Sequence, residues 1–134
     1  MNSTQKKELE RAESQARAQF ESIKEMVDAL AKAEDADDQN AREDAEQTIH
    51  EDPLSVEVRS GWTQPGAEME AQDFMILLCT GGPACRIIGE LNQYNEPDKA
   101  RIEYQDWFTP WTEYPLDSDD TEILLRYCRC FYFE

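Results

Sequence analysis

From Leu9 onward, apolar residues return every three or four positions. Leu9, Ala12, Ala16, Phe20, Ile23, Val27 and Leu30 are spaced 3, 4, 4, 3, 4 and 3 apart. That spacing draws one stripe along a helix, with charge on the remaining surface. Ser3 or Thr4 can cap the helix, which is predicted over about 4–34. Such a helix gains its stability chiefly by packing its apolar face. It must therefore dock on the rest of the chain, on a second copy of itself or on a partner. The near-heptad spacing suits a homodimer through the Leu9–Leu30 helix as well as it suits docking on the body. Asp37-Asp38-Gln39-Asn40 breaks the pattern. A second short helix, over about 41–50, stops before Pro53.

Beyond Pro53 the period falls to two. Leu54-Ser-Val-Glu-Val-Arg-Ser-Gly-Trp62 alternates apolar and polar residues, as a half-buried strand does. Pro65-Gly66 turns the chain, and Phe74 to Thr80 is a near-continuous apolar run suited to a central strand. Gly81-Gly82-Pro83 makes a tight hairpin into Ala84 to Leu91. Asn95-Glu-Pro-Asp98 turns again into Ala100 to Trp107, and Ser118 or Asp119 caps a last helix that crosses Glu122 to Phe131.

The order is helix, helix, four strands, helix. Short connections between strands imply an antiparallel meander, which makes this an α+β fold: an N-terminal helix pair, a four-stranded antiparallel sheet and a C-terminal helix packed on one face. Two regions follow, an acidic helical arm over 1–53 and a sheet domain over 54–134. Parity places Val56, Val58, Ile76, Leu78, Ile87, Ile102 and Tyr104 on the face under the helices. Glu57, Arg59, Arg86, Glu90, Arg101, Glu103 and Gln105 fall on the other.

Composition sharpens this division. Leu, Ile, Val and Phe supply only 24 of 134 residues, but 18 of these lie beyond Pro53, as do 12 of the 13 aromatics. The sheet region can bury a core, whereas the arm alone cannot. Against 13 Lys and Arg stand 30 Asp and Glu, a formal net charge of −17. That balance argues against direct contact with nucleic acid or an anionic membrane and favours a basic partner. No apolar leader follows Lys6-Lys7, and the longest uncharged stretch, Phe74 to Cys85, falls short of the roughly 20 residues a membrane span needs. The expectation is a soluble cytoplasmic protein whose four cysteines are thiols.

Candidate chemistry is sparse. Cys79 and Cys85 flank the hairpin turn, and Cys128-x-Cys130 falls in the last helix. Residues two apart on a helix point about 200° apart. The latter pair therefore chelates one metal only if the helix breaks, and core or surface thiols are the expected roles. His50 has no family-type spacing to a cysteine and reads as solvated. Gly81-Gly82-Pro83 lacks the helix and Lys of a phosphate loop. Neither an enzyme, a cofactor nor a metal site is expected.

Two features remain. Tyr104-Gln-Asp-Trp-Phe-Thr-Pro-Trp-Thr-Glu-Tyr114 holds five aromatic residues, which either close the open end of the sheet or present Trp107, Phe108, Trp111 and Tyr114 as anchors for a partner. The second feature is clustered acid. Residues 34–52 carry nine acids against Arg42, and 103–122 carry seven against none. DNA offers one phosphate per about 1.7 Å, and a helix rises about 1.5 Å per residue, so a helix dense in Asp and Glu approaches the charge density of a duplex. The candidate partner-binding residues are Asp35, Asp37, Asp38, Glu43 and Asp44 from the first cluster, with Asp106, Trp107, Trp111, Glu113, Asp117, Asp119 and Asp120 from the second.

Val56-Glu-Val-Arg-Ser-Gly-Trp62, Leu77-Leu-Cys-Thr-Gly-Gly-Pro83, Gly89-Glu-Leu91, Tyr104-Gln-Asp-Trp107, Thr109-Pro-Trp-Thr-Glu-Tyr114 and Phe131-Tyr-Phe133 give residues 54–134 a resemblance to small uncharacterised phage and prophage proteins. In general character, small and acidic, that group is like anti-CRISPR and antirestriction inhibitors, several classes of which mimic DNA charge. The resemblance implies an anti-defence inhibitor acting in the host cytoplasm on a basic nucleic-acid-binding protein or ribonucleoprotein such as a CRISPR effector. Two alternatives stand beside it. One is a binder of a small molecule or nucleotide signal on the Arg59, Arg86 and Arg101 face, unless those arginines pair across strands with Glu57, Glu90 and Glu103. The other is an acidic interaction module without DNA mimicry.

Overall fold

A computed structural model describes residues 2–107 and 109–133 of the chain. Helix α1 spans Ser3–Asp35 and α2 spans Gln39–Glu51. Strands β1 (Ser55–Ser60), β2 (Ala71–Cys79), β3 (Ala84–Leu91), β4 (Pro97–Gln105) and β5 (Thr112–Tyr114) follow, and α3 (Ser118–Cys128) completes the fold. The class is α+β, with the helix pair first and α3 packed on the sheet, as the alternation of periods predicts. The sheet has five strands rather than four, all antiparallel, in the order β1-β2-β3-β4-β5. Only three residues long and bracketed by Pro110 and Pro115, β5 is too short for alternation to reveal.

Local chemistry sets the helix ends. The cap of α1 is Asn2, not Ser3 or Thr4: its side chain accepts the Gln5 N–H at 2.8 Å, and the Gln5 side chain accepts the Asn2 N–H at 3.1 Å. At the other end Asp37 adopts φ 52°, with Asp38 N–H donating to Ala33 O and Asp37 N–H to Glu34 O, both at 3.1 Å. This left-handed cap satisfies carbonyls the helix leaves open. Asp38 then caps α2 by accepting the Ala41 N–H at 3.1 Å. Likewise Asp117, not Ser118 or Asp119, caps α3 by accepting the Asp120 N–H at 2.7 Å. That helix ends at Cys128 rather than Phe131, so the chain can turn and set Phe133 against Phe74, ring centroids 4.8 Å apart.

Ala12, Ala16, Phe20, Ile23 and Leu30 of α1 are buried in one cluster with Ile49, Phe74, Ile76, Ile87, Ile102, Leu124 and Tyr127. The stripe therefore docks on the body, and the surface that would pair two copies through α1 is covered by the chain's own sheet and helices. Registers Val56↔Ile76, Ile76↔Ile87 and Ile87↔Ile102 place the expected row on the core face. Val58 has that parity too but is exposed, because β1 is the edge strand and no helix extends over it.

Candidate partner-binding surfaces

All three helices lie on one side of the sheet, and the two faces carry charge differently. From Phe20 to Asp52 the helices hold twelve acids against Lys24, Lys32 and Arg42. Each of these bases is engaged locally: Lys24 with Glu21 at 3.8 Å, Lys32 with Asp28 at 2.8 Å and Arg42 with Glu46 at 3.2 Å. The Asp28 carboxylate, by hydrogen bond and by charge, raises the Lys32 ammonium above its ordinary pKa. Arg126 from α3 pairs with Glu34. Among the described residues Asp35, Asp37, Asp38, Glu43 and Asp44 are exposed and form no ion pair. They cover the α1–α2 turn and the start of α2.

The open face of the sheet is close to neutral. Its carboxylates Glu57, Asp73, Glu90, Glu103 and Glu113 stand beside Arg59, Arg86, Lys99 and Arg101. Register partners bond directly: Arg59 to Asp73 at 2.9 Å, Arg86 to Glu103 at 2.8 Å and Lys99 to Glu90 at 3.5 Å. Arg101 shares Glu103 at 3.1 Å. A groove of about 370 Å³ runs between Arg59, Arg86 and Arg101, but all three hold carboxylates, so a nucleotide phosphate would have to displace a neighbour at each. Of the cross-strand partners weighed against the nucleotide reading, only Glu103 is found, on Arg86; Arg59 takes Asp73 instead, Arg101 shares Glu103 along its own strand, and Glu90 pairs with Lys99.

The second acidic cluster is not one surface. Asp106 is 3% exposed; its carboxylate accepts the Trp107 N–H at 2.7 Å, and its backbone N–H donates to the Thr109 hydroxyl at 2.9 Å. It shapes the β4–β5 turn and is withdrawn from partner contact. Glu113 pairs in register with Glu103 on the open face, away from the helices. Asp117, Asp119, Asp120 and Glu122, at the start of α3, lie in the helical layer, toward the opposite end of α3 from the Arg126–Glu34 pair.

The tryptophans also separate. Trp107 is 74% exposed and sets its indole nitrogen near Gly82 of the β2–β3 turn, where φ is 112°. Trp111 is half-buried under Arg86, whose guanidinium carbon sits 3.9 Å from the ring centroid, so it belongs to the open face. Trp111 thus lies across the sheet from the acidic turn, and Trp107 lies at the β2–β3 hairpin. Phe108 lies outside the described residues. Tyr114 packs on Phe20, centroids 6.5 Å apart, which makes it a core aromatic rather than an anchor.

Contacts invisible in the spacing fasten the acidic layer to the body. Tyr127 O–H donates to Asp52 at 2.7 Å, and His50 Nε2 lies 2.6 Å from the Cys130 carbonyl, so this histidine is held by the segment just after α3 rather than only solvated. Burial first, then the Asp52 bond, pushes the Tyr127 phenol well above its ordinary pKa. Cys79 and Cys85 face each other across the hairpin, and the Cys85 hydrogen bond draws the Cys79 thiol below its usual value. Desolvation raises Cys128 and Cys130.

Among the described residues no group of three or more Cys, His, Asp or Glu is placed to hold a metal ion, and no helix is long and apolar enough to cross a membrane. Compared with protein families, with characterised proteins and with solved structures, the chain gives no match.

Proposed function

We propose that this is a non-catalytic binding protein whose acidic helical layer occupies a basic, nucleic-acid-binding surface of a partner, as an inhibitor of a host defence complex such as a CRISPR effector would. The observation that supports this reading is the segregation of charge: exposed, unpaired carboxylates gather at Asp35, Asp37, Asp38, Glu43 and Asp44, while Asp73, Glu90 and Glu103, three of the five on the sheet face, are paired with bases. Asp119 and Asp120 extend the acidic layer at the start of α3. Such a surface competes with phosphates for Lys and Arg, and rising salt weakens the competition as it weakens DNA binding. Trp107, exposed at the hairpin end, is free to serve a different contact.

The test is DNA binding by a panel of purified CRISPR effectors and restriction enzymes, measured with and without the protein. Inhibition of at least one member, relieved by added DNA and by salt, is the expected result. Undiminished DNA binding across the panel would contradict the proposal.

A further inference from the structure

The sheet ends on two unlike edges. Strand β5 is three residues long and bracketed by prolines, which blunts it as a template for further pairing. Strand β1 has six residues, none of them proline, and bonds to β2 alone. Its outward N–H and C=O groups are open to another strand. Leu54, Val58 and Trp62, at and beside this edge, are 62%, 48% and 105% exposed. Val56 and Val58 pair with Ile76 and Phe74, so this row continues the core face of the sheet past the last strand the helices cover.

The order of residues along β1 says what fits there. Outward from Val58, Glu57 mirrors Arg59, Val56 mirrors Ser60 and Leu54 mirrors Trp62. Paired antiparallel with its own copy about a two-fold axis through Val58, each Glu57 faces the other copy's Arg59, and each Leu54 faces a Trp62. Moving the axis to Glu57 or to Arg59 sets like charges directly opposite, which is unfavourable in a sheet. Arg59 bonds Asp73 through Nε and one terminal nitrogen, leaving the other terminal nitrogen for Glu57. We propose that the protein self-associates through β1, as an antiparallel pair centred on Val58 that joins two five-stranded sheets into one. Both faces then continue across the seam, apolar residues toward the helices and ion pairs on the open side. This pairing is independent of the acidic-surface reading.

Salt separates the two interactions. Each copy carries −17, so long-range repulsion opposes pairing at low ionic strength. The screening length falls from about 10 Å at about 0.1 M salt to about 3 Å at about 1 M. Self-association should therefore tighten with salt, opposite in sign to binding a basic partner.

The experiment is sedimentation of the full chain at both ionic strengths, together with oxidative cross-linking of Val58→Cys and Val56→Cys, wild type oxidised in parallel. At the axis, opposed Cα atoms lie about 4.5–5.5 Å apart, within disulfide reach. The two Val56 positions would be four residues out of step, about 13 Å. The expected result is a dimer favoured by salt, with Val58→Cys cross-linking at least about tenfold faster than Val56→Cys because only the former is within reach. Val58→Lys should sediment as a monomer with unchanged melting. Monomeric behaviour of wild type in both salts, or cross-linking of Val56→Cys as fast as Val58→Cys, would overturn the proposal.

Discussion

On the open side of the sheet, five carboxylates lie among four basic side chains, and strand register delivers each of Asp73, Glu90 and Glu103 to a cation. On the helical side, twelve acids between Phe20 and Asp52 meet three bases, all of which are taken within a turn of their own helix. The difference teaches that net charge is a poor guide to surface chemistry. One face of a protein carrying −17 pairs most of its carboxylates and sits close to neutral, and the other carries more of the excess. Repulsion within that excess has to be resisted by packing, which the buried stripe of α1 and the Tyr127–Asp52 bond supply.

The comparison can be broken most forcefully at the core. Ile23→Ala removes a fully buried side chain between α1 and the body and should lower unfolding stability by about 2–5 kcal/mol in urea titration. A loss under about 1 kcal/mol would mean the acidic layer is only loosely attached. Tyr127→Phe comes next, at about 1–3 kcal/mol, since it leaves Asp52 without its buried donor.

That phenol also sets an alkaline limit. Its folded pKa is raised, so its contribution is fully present below the ordinary tyrosine value of about 10 and is lost as pH climbs above it. Cys128, raised by burial, acts in the same direction from about pH 8.5. Melting temperature should fall steadily above those values, and less steeply in Tyr127→Phe; parallel profiles for the two proteins would remove the phenol from the account. The smallest effect is expected at Asp37, held at φ 52°. Asp37→Gly should raise stability by about 0.5 kcal/mol while deleting one acid, so a loss of stability there would show that the carboxylate does more than turn the chain.

Much of the fold was legible in periodicity. The 3-4 spacing marked α1, the alternation after Pro53 marked the strands, and parity sorted Val56, Ile76, Ile87 and Ile102 from Arg59, Arg86 and Glu103. Parity failed at Val58, where burial depends on which strand stands at the edge. The fifth strand was hidden because three residues cannot display a period. The acidic surface was only half legible: composition located both clusters, but whether an acid faces a partner depends on caps and turns. Asp38 and Asp117 cap helices while staying exposed, whereas Asp106 is turned inward by Thr109 and the Trp107 amide. The Arg86–Trp111 stack followed from β5, so it could not be foreseen without it.

The central claim rests on which face carries binding, and reversing charge on one face at a time measures that. Asp37, Asp38, Glu43 and Asp44 changed together to Lys, and separately Glu57, Glu90 and Glu113 changed to Lys, should be compared for inhibition of DNA binding by whichever effector responds to wild type. The account predicts that the helical variant loses inhibition at least about a hundredfold, roughly 2.7 kcal/mol, while the sheet variant stays within about threefold of wild type. Equal losses, or a greater loss from the sheet face, would contradict it.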